Sequence, residues 1–169
     1  GGDIASRPAV DEVIDLHKAM GFHAAIVQVN GRFEAYYKSS LVPWAPGIEI
    51  GFDPLAYFIQ RAHEEGIQVH AWINALTAYP FGQVPGDPGH IMHRFSHWAT
   101  HDEFGRSVAD LPAESGVVDV MPAVFLDPGL PAVQTFVAAM VEEVVLNYNV
   151  DGVHIDYIRY PSLRYGFHP

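Results

Sequence analysis

The sequence has no cysteine, few basic residues and no long hydrophobic run, and each of these absences excludes a class of protein. Without cysteine among its 169 residues, the chain can form neither a disulfide scaffold nor a thiolate site. Nine Lys and Arg against 20 Asp and Glu give a formal net charge of −11, which argues against nucleic acid or an anionic membrane as a partner. No apolar run approaches the ~20 residues that a membrane span requires.

The sequence does contain enough apolar residues for a folded core. Hydrophobic residues make up 49% of the chain and charged residues 17%, which is typical of a globular protein and not of a disordered one. The length suits one domain with a substantial core. Since we find no repeat, low-complexity segment or linker, we predict a single domain over residues 1–169.

Helices and strands alternate along the sequence. Helices are predicted over residues 8–20, 53–66 and 131–149, and strands over residues 24–30, 67–74 and 151–158. Ser6 and Asp53 are suitable N-caps for the first two helices, and Gly21 and Gly66 are typical of positions just beyond a helix end. The order helix–strand–helix–strand–helix–strand favours right-handed crossovers and a parallel sheet.

Each predicted strand has one apolar face and one face that becomes polar toward its carboxyl end, because side chains alternate between the two faces. The polar set consists of Gln28, Asn30, His70, Trp72, Asn74, His154 and Asp156. A sheet covered by helices on both sides should be apolar on both faces, whereas the inner face of a closed barrel leads to a pocket at the carboxyl ends of its strands. We therefore expect these residues to converge on a site there. The alternatives are polar groups satisfied within the core, or the solvent-facing side of a half-covered sheet.

Asp156 lies late on its strand, two residues after His154 on the same face. A carboxylate at a barrel rim suits a nucleophile, a general acid or base, or a charge stabiliser. Glycoside cleavage usually needs two carboxyl groups, about 5–5.5 Å apart for retention or about 6.5–9.5 Å for inversion. Asp151 lies at the opposite end of the strand, and Glu34, on the loop after the first strand, is not positioned by any strand. The sequence thus contains one well-placed carboxylate and no evident partner for it.

Two long connections, 31–52 and 75–130, follow the carboxyl ends of strands, where long loops are often functional. They carry aromatic rings that could stack on sugars, although most aromatic residues serve packing: Tyr36, Tyr37, Trp44, Tyr79 and Trp98. They also carry His90, His93, His97 and His101, which would form one stripe on a helix and could bind zinc or nickel, the alternative being a solvated histidine-rich helix. We predict neither a metal site nor a cofactor.

Several segments resemble the glycosyl-hydrolase-like family 10, whose members are barrel enzymes grouped with bacterial cell-wall and exopolysaccharide glycosidases. The segment DGVHIDYIRYP (151–161) is similar to the fourth-strand motif of that family. VQVNGRFEAYYKSSLVPW (27–44) is similar to its second strand and loop, and FDPLAYFIQRAHEEGIQVHAWIN (52–74) to its second helix and third strand. SHWATHDEFGRSV (96–108) and VFLDPGLPAV (124–133) are similar to the loop and helix that follow, so the resemblance covers nearly the whole chain.

The resemblance implies an α/β fold that is part of a (β/α)₈ TIM barrel, roughly from helix 1 to strand 4. It implies that Asp156 is a catalytic carboxylate whose acidic partner lies on the next strand. The substrate-binding residues that we carry over or place beside Asp156 are Asn30, Glu34, His70, Trp72, Asn74, His154, Tyr157, Arg159 and Tyr160. Where the family is expected to have Asp in the second-strand loop, this chain has Glu34.

A complete barrel runs to ~250 residues, so 169 residues with three evident strands cannot close one. We therefore expect a fragment that a missing segment or another chain completes, with strands 24–30 and 151–158 as sheet edges. The predicted function of the complete protein is hydrolysis of a bacterial cell-wall or exopolysaccharide glycan, at an extracellular or cell-envelope location. Alternatives are a glycan-binding domain without catalysis, or an open flavodoxin-like sheet that binds a small ligand at its carboxyl edge. The isolated chain is expected to be inactive.

Overall fold

The structure is a computed structural model that describes residues 4–80, 83–111 and 123–167. Its helices are α1 (Arg7–Ala19), α2 (Pro54–Glu64), α3 (Ile91–Arg94) and α4 (Pro131–Asn147), and its strands are β1 (Ala24–Asn30), β2 (Gln68–Asn74), β3 (Thr77–Pro80), β4 (Ala123–Phe125) and β5 (Gly152–Asp156). Two short 3₁₀ turns cover Ser96–Trp98 and Val108–Asp110. The predicted helices and strands are all present, with boundaries that differ by one or two residues.

The first two helices begin at the caps that the sequence predicts. Ser6 Oγ accepts a hydrogen bond from the amide of Ala9 at 3.4 Å, and Asp53 Oδ1 accepts one from Ala56 at 3.0 Å. These bonds satisfy amide groups that have no partner within the helix. Just beyond the helix ends, Gly21 and Gly66 both have a φ of 71°, the left-handed conformation that glycine adopts without steric cost.

Strands β1, β2 and β5 form a parallel sheet in the order β1-β2-β5. The central strand is therefore β2, and β1 and β5 form the two edges of this sheet within the described residues. This confirms the parallel α/β arrangement predicted from the alternation of helices and strands. Consecutive strands joined by helices and lying side by side are the repeating unit of a (β/α)₈ barrel.

The helices cover one face of this sheet. Val27, Val69 and Ala71 on the outer face are buried in the same core as Ile14 of α1 and Phe58 of α2. On the inner face, Ile26 is 58% exposed and Asp156 is exposed as well. The predicted polar face therefore corresponds to an open inner face, and the predicted apolar face to an outer face that helices cover over β1 and β2, while Ile155 of β5 stays 44% exposed.

The long connection 75–130 has a structure of its own, although residues 81–82 and 112–122 of it lie outside the described part. Strands β3 and β4 pair antiparallel, with Thr77 opposite Phe125. Ile91, Ala99 and Phe125 are buried in the common core. Among the helices that the structure describes, none is long and apolar enough to cross a membrane.

Candidate active site at the carboxyl ends of the parallel strands

The inner face of the sheet carries side chains that the strand register aligns in rows. Listed from the amino toward the carboxyl ends, the rows are Ile26, His70 and Gly152; then Gln28, Trp72 and His154; then Asn74 and Asp156. The register therefore brings the polar side chains named from the sequence onto one face, with the exception of Asn30. The row nearest the carboxyl ends holds an amide beside a carboxylate.

Asn30 is the exception because a β-bulge shifts the register between Gln28 and Asn30, so that Asn30 pairs with Ile73 of the outer face. An extra residue in a strand reverses the alternation of side chains beyond it. The Asn30 side chain is fully buried, accepts a hydrogen bond from the amide of Phe33 at 3.1 Å, and lies 3.7 Å from the sulfur of Met140. The placement of Asn30 on the inner face by strict alternation is wrong, and its amide stabilises the turn after β1 instead.

Asp156 is the last residue of β5 and lies opposite Asn74 of the central strand. Its backbone carbonyl accepts a hydrogen bond from the amide of Ala75 at 2.8 Å, which anchors the end of β5 to β2. Its Oδ1 accepts a hydrogen bond from the amide of Tyr157 at 2.7 Å. Asp156 is exposed on the open inner face, so a ligand entering that side can reach the carboxylate.

A cavity of about 360 Å³ lies between the ends of β1, β2 and β3; Asp156 does not line it, but Asn74, opposite Asp156, and Tyr157, which follows Asp156, both do. It is lined by Gln28, Gly31, Arg32, Asn74, Thr77, Tyr79, Pro80, Ala123 and Tyr157. Asn74 Nδ2 donates to the carbonyl of Gly31 at 3.0 Å, whereas Asn74 Oδ1 and Thr77 Oγ1 are buried without a hydrogen-bond partner among the described residues. Small-molecule sites have volumes of about 300–1,000 Å³ and a few polar groups in an otherwise apolar lining. The cavity fits that description.

Sequence reasoning missed Arg32 and Thr77 in this lining, whereas Tyr79 was named from the sequence as a loop aromatic that could stack on sugars. Thr77 and Tyr79 lie on β3, which spans four residues inside the long connection and was not predicted as a strand. The available signal was the presence of a β-branched and an aromatic residue at alternate positions, which favours a strand. Arg32 lies in the turn after β1, and its guanidinium is 6.0 Å from the centre of the Tyr79 ring.

Tyr157 ends β5 because it adopts the left-handed conformation, with a φ of 51°. Continued alternation would place its ring on the outer face, but the chain turns and Tyr157 lines the cavity. The ring packs edge-on against Phe125, with 6.3 Å between the ring centres, and the Arg159 guanidinium lies 5.6 Å from its centre. The predicted strand to residue 158 therefore stops at Asp156, and Arg159 is exposed beside the cavity.

The hydroxyl of Tyr160 is bound to the carboxylate of Asp127, which is only 2% exposed. Tyr160 donates to Asp127 Oδ1 at 3.0 Å, and the same oxygen accepts from the amide of Gly129 at 2.8 Å. Asp127 Oδ2 accepts from the hydroxyl of Thr100 at 3.3 Å. Burial and the adjacent Asp127 raise the pKa of Tyr160. The hydroxyl expected to contact a ligand is therefore engaged within the protein.

The two inner-face histidines lie side by side on β2 and β5. The ring centres of His70 and His154 are 5.4 Å apart. His70 also covers Gly152, where a Cβ atom would lie 2.5 Å from His70 Nδ1, so the ring position requires glycine at 152. The half-buried Trp72 occupies the next row, opposite His154, and its Nε1 has no hydrogen-bond partner among the described residues.

Glu34 lies on the loop after β1 and lines a second cavity of about 340 Å³. Burial raises the pKa of Glu34, and the positive charge of Arg32 partly opposes that effect. Gln28 and Arg32 border both cavities, so Glu34 adjoins the same rim as Asp156. A carboxyl that retains its proton more readily than usual is suited to donate one.

The aromatic rings of the long connections divide into core and surface residues. Tyr36, Tyr37 and Trp98 are buried at 8, 0 and 9% exposure and belong to the core, although Tyr36 also lines the cavity beside Glu34. Trp44 is 45% exposed, and Tyr79 is half-buried at the first cavity.

The four histidines of the long connection do not lie on one helix, because α3 ends at Arg94 and His97 belongs to a separate 3₁₀ turn. His90 is fully buried, with its Nε2 2.6 Å from the carbonyl of Arg32. His93 Nε2 lies 2.8 Å from the carbonyl of Pro85. Within the described ranges, no group of three His, Asp or Glu side chains is arranged to hold a metal ion.

Comparison with known proteins identifies the family of this chain. Residues 3–169 match the family described as Glycosyl hydrolase-like 10. The match covers almost the entire chain and includes every element described above. The chain belongs to the Glycosyl hydrolase-like 10 family.

Curated relatives of this Glycosyl hydrolase-like 10 chain are named as glycosyl hydrolases. It is 30% identical to Glycosyl hydrolase YngK of Bacillus subtilis (strain 168) over 156 residues, which is 89% of this chain and 28% of YngK. It is 29% identical to Glycosyl hydrolase DigH of Escherichia coli (strain K12) over 164 residues, which is 89% of this chain and 34% of DigH. The chain therefore spans about a third of the length of these relatives.

Solved structures show the same fold. The α-L-fucosidase isoenzyme 2 from Paenibacillus thiaminolyticus superposes on 91% of this chain with a TM-score of 0.66, at 21% identity and over 21% of that protein. At such low identity the likeness concerns the fold alone. This likeness confirms the predicted partial (β/α)₈ TIM barrel and not the flavodoxin-like alternative.

Proposed function

We propose that this chain forms part of a glycoside hydrolase that cleaves a bacterial cell-wall or exopolysaccharide glycan, with Asp156 as one of two catalytic carboxylates. The observation that carries the proposal is the position of Asp156 at the carboxyl end of a parallel strand, opposite Asn74, which lines the adjoining cavity. In TIM-barrel enzymes the catalytic residues come from the ends of several strands at this face. Membership of a glycosyl hydrolase-like family supports the reaction class.

The glycan would lie along the open inner face. Asn74 and Tyr157 line the cavity beside Asp156, and Trp72, His70 and His154 extend the polar surface below it. Such a surface combines ring faces, which stack on sugars, with amide and imidazole groups, which bind hydroxyls. Arg159 and Glu34 would contact parts of the glycan at the rim. A polymeric substrate of this kind favours an extracellular or cell-envelope location.

The second carboxylate is proposed to lie on the strand that follows β5 in the complete barrel. That strand would pair with the free edge of β5, and it would come from a further segment of the polypeptide or from another chain. Within the described residues Glu34 is an alternative candidate, because it lines the neighbouring cavity and its raised pKa suits a proton donor. In either case the two carboxyl groups must flank the scissile bond, so that one protonates the glycosidic oxygen while the other attacks the anomeric carbon or activates the water that attacks it.

The proposal is tested with Asp156→Asn in the full-length protein, assayed on soluble glycan strands from a bacterial cell wall by release of reducing ends. Turnover should fall by about 10³-fold or more, because a catalytic group is removed. Affinity for the strands, measured by calorimetry, should change by less than about twofold, since the amide has the same shape as the carboxylate. Asp15→Asn is the matched control, because Asp15 is exposed on α1.

Unchanged turnover in Asp156→Asn would remove this residue from the chemistry. Binding of the strands by the wild-type protein without any release of reducing ends would instead favour the non-catalytic, glycan-binding interpretation.

A further inference from the structure

Near its start, the segment that follows β5 is bonded to the rest of the molecule through one buried carboxylate, while its far end is held by separate bonds between Arg164 and Glu103. Asp127 belongs to the turn between β4 and α4, and its two oxygens accept hydrogen bonds from Tyr160, Gly129 and Thr100. A buried carboxylate is stable only when donors surround it. This one meets donors from three separate segments of the chain.

A further contact closes this network. The amide of Gly166 donates to Thr100 Oγ1 at 3.1 Å and to the carbonyl of His101 at 3.0 Å. Gly166 also lies against the ring of Tyr160, where a Cβ atom would come within 2.9 Å of the ring. The segment 157–166 is therefore attached near both of its ends, at Tyr160 and at Gly166.

One hydrogen-bond partner of Asp127 lies close in sequence to the candidate site at Asp156. Tyr160 lies four residues after Asp156, and Tyr157 and Arg159, at the rim, lie between them. The backbone of Asp156 is anchored to β2 by the bond from the amide of Ala75 to its carbonyl, and its carboxylate accepts from the amide of the next residue, Tyr157. Loss of the Tyr160 bond would therefore loosen the side chains of Tyr157 and Arg159 more than the anchored backbone that carries the carboxylate.

We propose that Tyr160 and Asp127 are positioning residues, which hold Tyr157 and Arg159 in the arrangement that binds the glycan. Tyr160 acts through its bond to Asp127 and does not contact the substrate. This inference rests on the proposed function, since it concerns the same site. The proposal assigns a role in substrate affinity to Asp127, although this residue lies outside the inner face and the cavity.

The test compares Tyr160→Phe with wild type in the full-length protein, again on soluble cell-wall glycan strands. Removing one hydrogen bond should raise KM about fivefold, while kcat stays within about twofold, because Asp156 remains anchored. A purely structural role would do the reverse, lowering kcat through a smaller folded fraction and leaving KM unchanged. Tyr57→Phe is the matched control, because it also removes a hydrogen bond from a tyrosine to an aspartate. That bond, from Tyr57 to Asp11 at 3.0 Å, joins α1 and α2.

The role of Asp127 is tested by asking whether a conservative variant preserves the KM that a truncated side chain loses. Asp127→Asn keeps an oxygen that can accept from Tyr160 and Gly129, so its KM should lie closer to wild type than that of Asp127→Ala. Hydrogen exchange gives a readout without catalysis: amides of residues 157–166 should exchange about fivefold faster in Tyr160→Phe, with α4 unchanged.

An unchanged KM in Tyr160→Phe, or a parallel loss of kcat, would overturn the positioning role. Unchanged exchange over residues 157–166 would overturn it as well, whether or not the protein hydrolyses the strands. Failure of the proposed function is distinguished by Asp156→Asn, because full turnover in that variant rejects the catalytic assignment and leaves the exchange result unaffected.

Discussion

At the scale of single residues, Glu34 carries a partly buried carboxyl group whose pKa differs from its ordinary value. Burial raises the pKa of Glu34, and the charge of Arg32 offsets only part of this effect. Ionisation of Glu34 is therefore easier in the unfolded chain than in the folded one. A group of this kind destabilises the fold at pH values where it is ionised.

Glu34→Gln should therefore increase the thermal stability of the protein at neutral and higher pH. We expect Tm to rise by about 1–3 °C at pH ~8, with no difference at pH ~3.5, where the carboxyl is protonated in both states. The measurement is thermal unfolding of both proteins at the two pH values and equal ionic strength.

Glu64→Gln is the control, because its effect on Tm should have the opposite sign. Hydrogen bonds from Gln60 and Arg61 lower the pKa of Glu64, so its removal should reduce Tm at pH ~8 and have no effect when the carboxyl is protonated. An equal gain from Glu34→Gln at both pH values would contradict the assignment of the effect to ionisation.

At the scale of elements, Asp53 shows how a residue chosen by local rules acquires a tertiary role. The sequence identifies Asp53 and Ser6 equally as N-caps, and both cap their helices. Asp53 Oδ2 also accepts from the hydroxyl of Tyr148 at 2.7 Å and from the amide of Lys38 at 3.3 Å. Asp53 thus joins α2, the loop after β1 and the segment that leads from α4 to β5.

The two caps should consequently differ in their effect on the free energy of unfolding. Ser6→Ala should cost about 1 kcal/mol, as expected for a lost cap alone. Asp53→Ala should cost about 2–3 kcal/mol, because it also removes partners of Tyr148 and Lys38. Urea unfolding of the two variants provides the comparison, and equal costs would show that the tertiary bonds of Asp53 contribute nothing.

At the scale of the whole molecule, the described sheet has two free edges and an uncovered apolar groove. Within the described residues, β1 and β5 each pair on one side only. A groove of about 670 Å³ lies between α4 and β5 and is lined mainly by apolar residues, among them Val137, Val145 and Ile155. Free edges beside an apolar surface favour association with another chain.

The isolated 169-residue chain is therefore expected to self-associate. Sedimentation velocity should show an average size that increases with concentration, and Val145→Lys should reduce that increase because it places a charge in the groove. Ile50→Lys is the matched control, since Ile50 is fully exposed on a different surface. A monomer at all concentrations, or an equal effect of both lysines, would contradict the prediction.

The fold could be predicted largely from the sequence, because its signals are local. The apolar stripes, the capping residues Ser6 and Asp53 and the alternation of the strands each depend on neighbours a few residues away. The site was predictable only in part. Asp156 and Asn74 follow from alternation along regular strands, whereas Thr77 belongs to a four-residue strand whose pairing partner lies almost fifty residues later.

The sequence by itself determined the order of helices and strands and the face of each strand that carries polar groups, since both are periodic properties of short segments. Only the tertiary structure decided the orientation of Asn30, the turn at Tyr157 and the partner of Tyr160. A β-bulge, a left-handed residue and a hydrogen bond between distant segments interrupt that periodicity. They arise from contacts between parts of the chain that no local pattern connects.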